Sequence, residues 1–303
     1  MAIKTVQAII NGSTTNLSLN SNTGFYEATV SAPNKTSYNN NSEHYYPVTI
    51  KATDSAGNST TVNDKDANFG SVLKLRVKET TAPAIVITAP TEDQYLANSN
   101  PTVTWNVTDS GSGVNPGTIG ITIDSGNKIT SGITKTAITN GYSCSYKIPN
   151  ALSDGSHIVK IDASDYDGNN ATQRVVNFTV DITPPVLSVS APTNNLITNN
   201  SSVTVKGTTN DNVTGITQVT VKLNNNTASK VTVASDGSFS KALTLVEGAN
   251  SITIVAKNSA GLTTTVTRIV TLDTKAPIIN SIELSPNPVS TGDLLTVTVN
   301  VTD

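Results

Sequence analysis

Acidic side chains near the ends of predicted strands are the residues of this sequence with the clearest chemistry to offer. They fall into sets at matching positions of a repeat: Glu79, Asp109, Asp165 and Asp167; then Asp181, Asp211 and Asn258; then Asp273 and Asp303. Carboxylate and amide oxygens are the ligands that Ca²⁺ prefers. The acids of the first two sets are therefore candidate metal ligands, and solvated turn acids are the alternative interpretation.

A catalytic site is not predicted. The two histidines, His44 and His157, lie in different repeats, which indicates neither a Ser/His/Asp triad nor a His/Cys metal cluster. The single cysteine, Cys144, excludes an intramolecular disulfide and lies in a strand-like run, which favours an inert thiol. The glycines occur in turns and not in a phosphate-binding loop. We predict that the chain is not an enzyme and requires no cofactor.

The charge pattern and the apolar pattern limit the partners. The 19 basic and 22 acidic residues are scattered, without the basic stripe that a nucleic-acid partner requires. No apolar run approaches the 18 or more residues of a membrane span, and residues 1–10 contain no apolar signal core. We predict no nucleic-acid partner and no membrane insertion, and no signal peptide or transmembrane segment is visible.

The elements that must position these residues are strands in a repeat. Residues 48–58, 159–169 and 252–262 each alternate apolar and polar residues, then turn at an Asp or Asn followed three residues later by Gly. A period of two indicates a strand with one buried face, and the glycines Gly57, Gly168 and Gly261 predict positive φ angles that close a hairpin. Copies in register indicate homologous modules.

Proline-flanked segments mark the module boundaries at residues 80–90, 182–192 and 274–286. We predict an N-terminal module at 1–80, complete modules at 81–182 and 183–274, and the first two strands of a further module at 275–303. Residues 5–11 align with 218–224, so the N-terminal module is either divergent or without its first strands. Trp105, in a recurring second strand, is expected to anchor a core.

The proline-bounded entry strand and the Asp-x-x-Gly hairpin resemble those of bacterial immunoglobulin-like domains, which occur in tandem in adhesins and in virion proteins of tailed phages. The sequence is most similar in style to such proteins of Firmicutes phages and prophages. The resemblance implies an all-β fold of tandem immunoglobulin-like β-sandwiches in an elongated array. It also implies that the acidic sets gather at inter-module junctions as Ca²⁺ sites, and that Tyr46 closes a tyrosine corner, from which His157 and Asn250 depart.

These observations predict a non-enzymatic structural or interaction protein on a virion or an extracellular surface, acting as a phage tail or capsid-surface spacer or as a weak host attachment element. A secreted adhesin that binds cell-surface glycan or protein is one alternative, and an accessory module of a polysaccharide-degrading enzyme is another. The expected partners are other virion or surface proteins, cell-surface glycan, or a second copy joined by addition of the C-terminal strand pair. Truncation is the alternative explanation of that strand pair.

Overall fold

The computed structural model describes residues 2–303, and its regular structure consists of strands. The predicted all-β fold is confirmed. Among these residues no helix has the length and apolar character needed to cross a bilayer. The packing divides the chain into two compact units, one made mainly of residues up to 179 and the other mainly of residues from 180 onward. Each unit is described by itself.

The first unit begins with a six-stranded sheet in the order β3-β2-β1-β4-β5, in which β6 also pairs with β4. Its strands are β1 (Ile3–Ile10), β2 (Ser13–Leu19), β3 (Tyr26–Glu27), β4 (Tyr46–Asp54), β5 (Ser59–Val62) and β6 (Lys74–Leu75). Asn11 and Gly12 have positive φ angles of 47° and 78°, which suits the tight turn that joins β1 to β2. The hydroxyl of buried Tyr46 donates to the Lys35 carbonyl at 3.3 Å, the kind of bond predicted for a tyrosine corner.

The second module contains two four-stranded sheets, in the orders β11-β12-β9-β7 and β10-β13-β14-β8. Its strands are β7 (Ala84–Ala89), β8 (Gln94–Leu96), β9 (Thr102–Thr108), β10 (Gly120–Ile123), β11 (Thr134–Ile138), β12 (Gly141–Lys147), β13 (Gly155–Asp162) and β14 (Arg174–Val180). Trp105 on β9 is fully buried, as predicted, and Phe178 on β14 is 1% exposed. Cys144 is also buried.

The third module, in the second unit, pairs a sheet in the order β15-β17-β20 with one in the order β16-β22-β21-β18-β19. Its strands are β15 (Val186–Ala191), β16 (Leu196–Thr198), β17 (Ser202–Asn210), β18 (Ile216–Leu223), β19 (Ser229–Val231), β20 (Ser238–Thr244), β21 (Gly248–Asn258) and β22 (Thr263–Leu272). Alternate residues of β17, β18 and β21 form one buried cluster with Phe239. The strand β16 runs parallel to β22, whereas the other strand pairings of this module are antiparallel.

A separate two-stranded sheet follows, made of β23 (Ile278–Ser285) and β24 (Thr296–Thr302). The hairpin turns of the repeat have the geometry predicted from their glycines, because Gly57, Gly168 and Gly261 have φ angles of 92°, 94° and 95°. These turns place Asp54, Asp165 and Asn258 at equivalent positions: Asp54 and Asn258 are the last residues of β4 and β21, and Asp165 lies three residues after β13. One member of each of the first two sets, Asp165 and Asn258, therefore lies at such a turn.

Candidate functional site

Three acids of the first set lie together. Glu79 in the segment that enters the second module, Asp109 after β9 and Asp165 after β13 have carboxylate oxygens within 4.8 Å of one another. Asp109 and Asp165 are buried, and Glu79 is half-buried. Oxygens on opposite sides of a Ca²⁺ ion, at about 2.4 Å each, would be separated by a similar distance. The spacing and the donor set fit a hard cation, and the metal remains a prediction.

Backbone and amide donors already compensate these anions. Asp109 accepts from the Gly111 N–H at 3.1 Å and from the Gly113 N–H at 2.6 Å. Asp165 accepts from the backbone and side-chain nitrogens of Asn169, both at 2.7 Å. The Ser112 N–H donates to Glu79, whose carboxylate occupies the space that a Cβ at Gly111 would need. The loop after β9 is thus shaped around carboxylates.

Asp167 does not join this trio. Its Oδ2 accepts from the Thr36 hydroxyl at 2.6 Å and from the Glu79 N–H at 3.1 Å, and its carbonyl accepts from the Lys78 ammonium at 3.3 Å. Thr36 belongs to the N-terminal module, whereas Asp167 lies on the turn after β13 of the second module. Through these hydrogen bonds Asp167 ties two modules of the same compact unit together, and its role as a metal ligand stays a prediction.

A stack of three rings extends the same joint. The His44 and Tyr38 rings lie 3.9 Å apart with an interplanar angle of 6°, and Tyr38 stacks on Tyr166 at 4.1 Å and 13°. Partial burial raises the pKa of the Tyr38 phenol, with contributions from Tyr166 and Asp167. Nearby, the Asn39 amide donates to the Gly111 carbonyl at 2.9 Å. The sequence reasoning missed this stack.

One signal for the stack was present in the repeat. Tyr166 follows the turn acid of the second module, at the position that Ser55 and Ser259 occupy in the other two copies. An aromatic residue in a polar turn where its counterparts are serine indicates a local contact surface. We refer to the contacts made by Thr36, Tyr38, His44, Tyr166 and Asp167 as the first joint.

The second set is held together by an amide. The Asn258 side-chain nitrogen donates to Asp181 Oδ2 at 2.9 Å and to Asp211 Oδ2 at 3.0 Å. Burial alone would raise the pKa of Asp211, but hydrogen bonds from Thr214, Asn258 and neighbouring backbone lower it overall. Asn258 occupies the position that Asp165 has in the second module. An N–H donor therefore sits between the acids of the third module, where the second module has a third carboxylate.

The remaining chemical candidates have structural roles. His157 Nδ1 lies 2.9 Å from Asp124 Oδ2, and its ring packs at a tilt against Phe178. The equivalent pair in the third module is Asn250 with Asn224 at 3.1 Å. Asp273, in the last set, accepts the Lys275 N–H at 3.1 Å. Burial raises the pKa of the Cys144 thiol to about 11, which leaves it a poor nucleophile.

Comparison with known proteins agrees with this fold. Residues 185–274 match the family model for glucodextranase, domain B. Bacillopeptidase F of Bacillus subtilis (strain 168) is 29% identical over 196 residues, which are 65% of this chain and 12% of that protein.

Among solved structures, fibronectin(III)-like modules of Clostridium thermocellum CbhA align with 63% of this chain and 94% of theirs at 14% identity, with a TM-score of 0.39. A multidomain fragment of titin aligns with 88% of this chain and 86% of its own at 14% identity, with a TM-score of 0.42. The chain is an all-β protein with immunoglobulin-like β-sandwich domains.

Proposed function

We propose that this chain is a non-enzymatic spacer and interaction element, in which immunoglobulin-like modules hold other surfaces at a set separation and orientation. The observation that carries this proposal is the first joint. A spacer has to fix the orientation of successive modules, and a joint made only of a flexible linker would not do so.

The contacts of the first joint support a fixed orientation. The Tyr38 ring lies between the His44 and Tyr166 rings, so the stack removes apolar ring surface of both modules from water. Asp167 adds charge-assisted hydrogen bonds from Thr36 and from the linker residue Glu79, and such bonds are shorter and stronger than neutral ones. Because these contacts lie on a loop of one module and a turn of the next, they restrain both bending and rotation.

Double electron–electron resonance tests this proposal. Spin labels are attached at Thr14→Cys on β2 and Thr136→Cys on β11, which are both exposed, while buried Cys144 with its raised pKa reacts slowly. We expect a narrow distance distribution in the otherwise unchanged chain. Removing the stack and the hydroxyl bond with Tyr166→Ser and Thr36→Val should broaden it.

The matched control is Tyr95→Ser, which removes an exposed tyrosine outside the first joint and should leave the distribution narrow. A distribution that stays equally narrow in the joint variant, or that is already broad in the unchanged chain, would contradict the proposed spacer role.

A second candidate function is favoured by the family match at residues 185–274. In this proposal the chain is an accessory module of a polysaccharide-degrading enzyme and binds the polymer or positions a catalytic domain. Affinity electrophoresis through gels containing soluble α-glucans would detect retardation relative to bovine serum albumin. Equal mobility with and without each polymer would contradict the proposed polymer binding. The spacer proposal would be unaffected.

The proposals that the chain is part of a virion or is a secreted adhesin rest only on the resemblance of its repeats to bacterial immunoglobulin-like domains. A virion spacer predicts that antibodies against this chain label particles in electron microscopy, whereas a secreted adhesin predicts labelling of cell surfaces. Absence of label from the particles would contradict the proposal that the chain is part of a virion.

A further inference from the structure

Two tyrosines of the first joint face each other across the boundary between modules. The rings of Tyr38 and Tyr166 stack with their centroids 4.1 Å apart and an interplanar angle of 13°. Tyr38 lies between β3 and β4 of the N-terminal module, and Tyr166 lies on the turn after β13 of the second module. Among the residues that the structure describes, they are the one stacked pair of tyrosines. The stack therefore places two oxidisable phenols in contact.

The hydroxyl groups lie at the same end of this stack. Burial, followed by the charge and the hydrogen bond of the Tyr166 phenol, raises the pKa of the Tyr38 phenol. A hydrogen bond between two hydroxyls brings the oxygens to about 2.5–3.0 Å from each other. Because the rings are nearly parallel, the Cε carbons beside the two hydroxyls then face each other as well. Phenylalanine rings also stack, so packing alone does not require these paired hydroxyls.

The backbone on each side of the stack is anchored. The Tyr38 N–H donates to the Thr36 hydroxyl at 3.2 Å, and the Tyr166 N–H donates to the Gly113 carbonyl at 3.1 Å. The His44 ring covers the other face of Tyr38 at 3.9 Å, and its Nδ1 contacts the Tyr38 carbonyl oxygen. The two phenols are thus held together in advance and need no diffusional encounter in order to react with each other.

One of the two rings is open to solvent. Tyr166 is 39% exposed, whereas Tyr38 is half-buried between its two neighbours. An oxidant can reach Tyr166, and the exposed ring has room to move toward its partner. That movement is short, because rings that stack at 4.1 Å have to form a carbon–carbon bond of about 1.5 Å.

We propose that Tyr38 and Tyr166 are a modification site, at which one-electron oxidation forms a dityrosine cross-link between the N-terminal and second modules. The oxidant is of the peroxidase class, with hydrogen peroxide as the electron acceptor. The cross-link goes beyond a spacer role, because it would convert the first joint from a non-covalent contact into a covalent one. A disulfide cannot serve this purpose, since the chain has a single cysteine, which is buried.

The reaction removes two hydrogen atoms from the pair. Each phenol gives up one electron and its hydroxyl proton and becomes a phenoxyl radical, whose unpaired electron is shared with the Cε carbons. The two radicals join through a Cε–Cε bond, and the hydrogens on these carbons move to the oxygens, which restores both phenols. In total two C–H bonds break and one C–C bond forms. The two electrons and two protons that leave reduce one hydrogen peroxide to two waters.

Oxidation of the full 303-residue chain by horseradish peroxidase and hydrogen peroxide tests the proposal. At low protein concentration we expect a monomeric product with dityrosine fluorescence. Trypsin should then release residues 36–51 joined to residues 161–174, with a mass two hydrogens below the sum of the two peptides. Tandem mass spectrometry should place the link on Tyr38, because residues 36–51 also contain Tyr45 and Tyr46.

The decisive variant is Tyr166→Phe, which keeps a ring in the stack and removes the phenol. It should abolish the linked peptide and the dityrosine fluorescence of the monomer, and Tyr38→Phe should do the same from the other side. The matched control is Tyr95→Phe. Tyr95 is 47% exposed, more than Tyr166, and makes no ring stack in the described chain, so this variant should form the linked peptide as the unchanged chain does. Circular dichroism melts establish that each variant is folded.

Two results would overturn the proposal. One is the absence of the linked peptide from the oxidised, unchanged chain. The other is dityrosine that forms in the Tyr166→Phe monomer as fully as in the unchanged chain. A narrow spin-label distance distribution combined with either result would contradict the modification site and leave the spacer role intact.

Discussion

Replacing Asp165 with asparagine tests whether like charges are held together beside the first joint. Glu79, Asp109 and Asp165 have carboxylate oxygens within 4.8 Å of one another. Two unit charges at this distance repel by about 3.5 kcal/mol at an effective dielectric constant of about 20. Asp165 has two such neighbours, and the N–H donors to Asp109, Asp165 and Glu79 offset a large part of the repulsion.

Asparagine at position 165 reproduces the arrangement of the third module. There the Asn258 amide donates to two carboxylates, and a hydrogen bond to a charged group contributes about 1.5–3 kcal/mol. Asp165→Asn also loses the bond from the Asn169 amide, at a similar cost. The hydrogen bonds gained and lost therefore roughly cancel, and the relief of charge repulsion remains. We expect it to stabilise the second module by about 1 kcal/mol or more. Each kcal/mol should raise the Tm of a module of this size by roughly 4–8 °C.

Differential scanning calorimetry in EDTA and in Ca²⁺ measures both parts of this prediction. In EDTA, Asp165→Asn should melt higher than the unchanged chain, and Asp93→Asn, which makes the same charge change in an exposed turn, should not. Ca²⁺ at 100 times its Kd should stabilise the unchanged chain by about 2.7 kcal/mol and should not stabilise the variant. A lower Tm for Asp165→Asn in EDTA would refute the electrostatic reasoning. Identical melting curves of the unchanged chain in EDTA and in Ca²⁺ would contradict the predicted Ca²⁺ site.

Three further predictions concern the cores and turns. Trp105→Ala should destabilise the second module by about 3–5 kcal/mol through the cavity it leaves, which calorimetry would detect as a lower Tm for that module alone. The lowered pKa of Asp211 means that its stabilising effect is present above the unfolded-state pKa of about 3.9 and is lost as the pH falls through the lower folded-state value; acid melts should therefore be less pH-dependent in Asp211→Asn. Cys144, with its pKa raised to about 11, should react with a thiol reagent at pH 8 far more slowly in the native chain than in urea, and equal rates would contradict its burial.

Much of the fold could be predicted because strand patterns are local. The alternation of Val48, Ile50 and Ala52, followed by Gly57, specifies a strand and its turn within ten residues of sequence. The repeat then transfers this assignment to the other copies. The same local logic placed Trp105 in a core and Asp109 on the loop beside it.

The first joint could not be predicted in this way. Thr36 and Asp167 are 131 residues apart, and Tyr38 lies in a segment without the period of a strand or a helix. Asp167 has the residue type and the position of a metal ligand, and only the structure shows that its carboxylate also accepts a hydrogen bond from the distant Thr36 hydroxyl. The residue type does not distinguish these roles, because both depend on which donor or cation lies nearby.

The parallel pairing of β16 with β22 has a mechanical consequence. The three residue pairs Leu196–Val270, Ile197–Thr271 and Thr198–Leu272 join a strand near the start of the third module to the strand at its end. When the two ends of this module are pulled apart, parallel strands are dragged along each other in opposite directions. The bonds between them are then loaded in shear and must break together, whereas an antiparallel hairpin pulled from its open end unzips one bond at a time. We therefore expect the third module to resist tension along the chain better than a hairpin that is pulled from its open end.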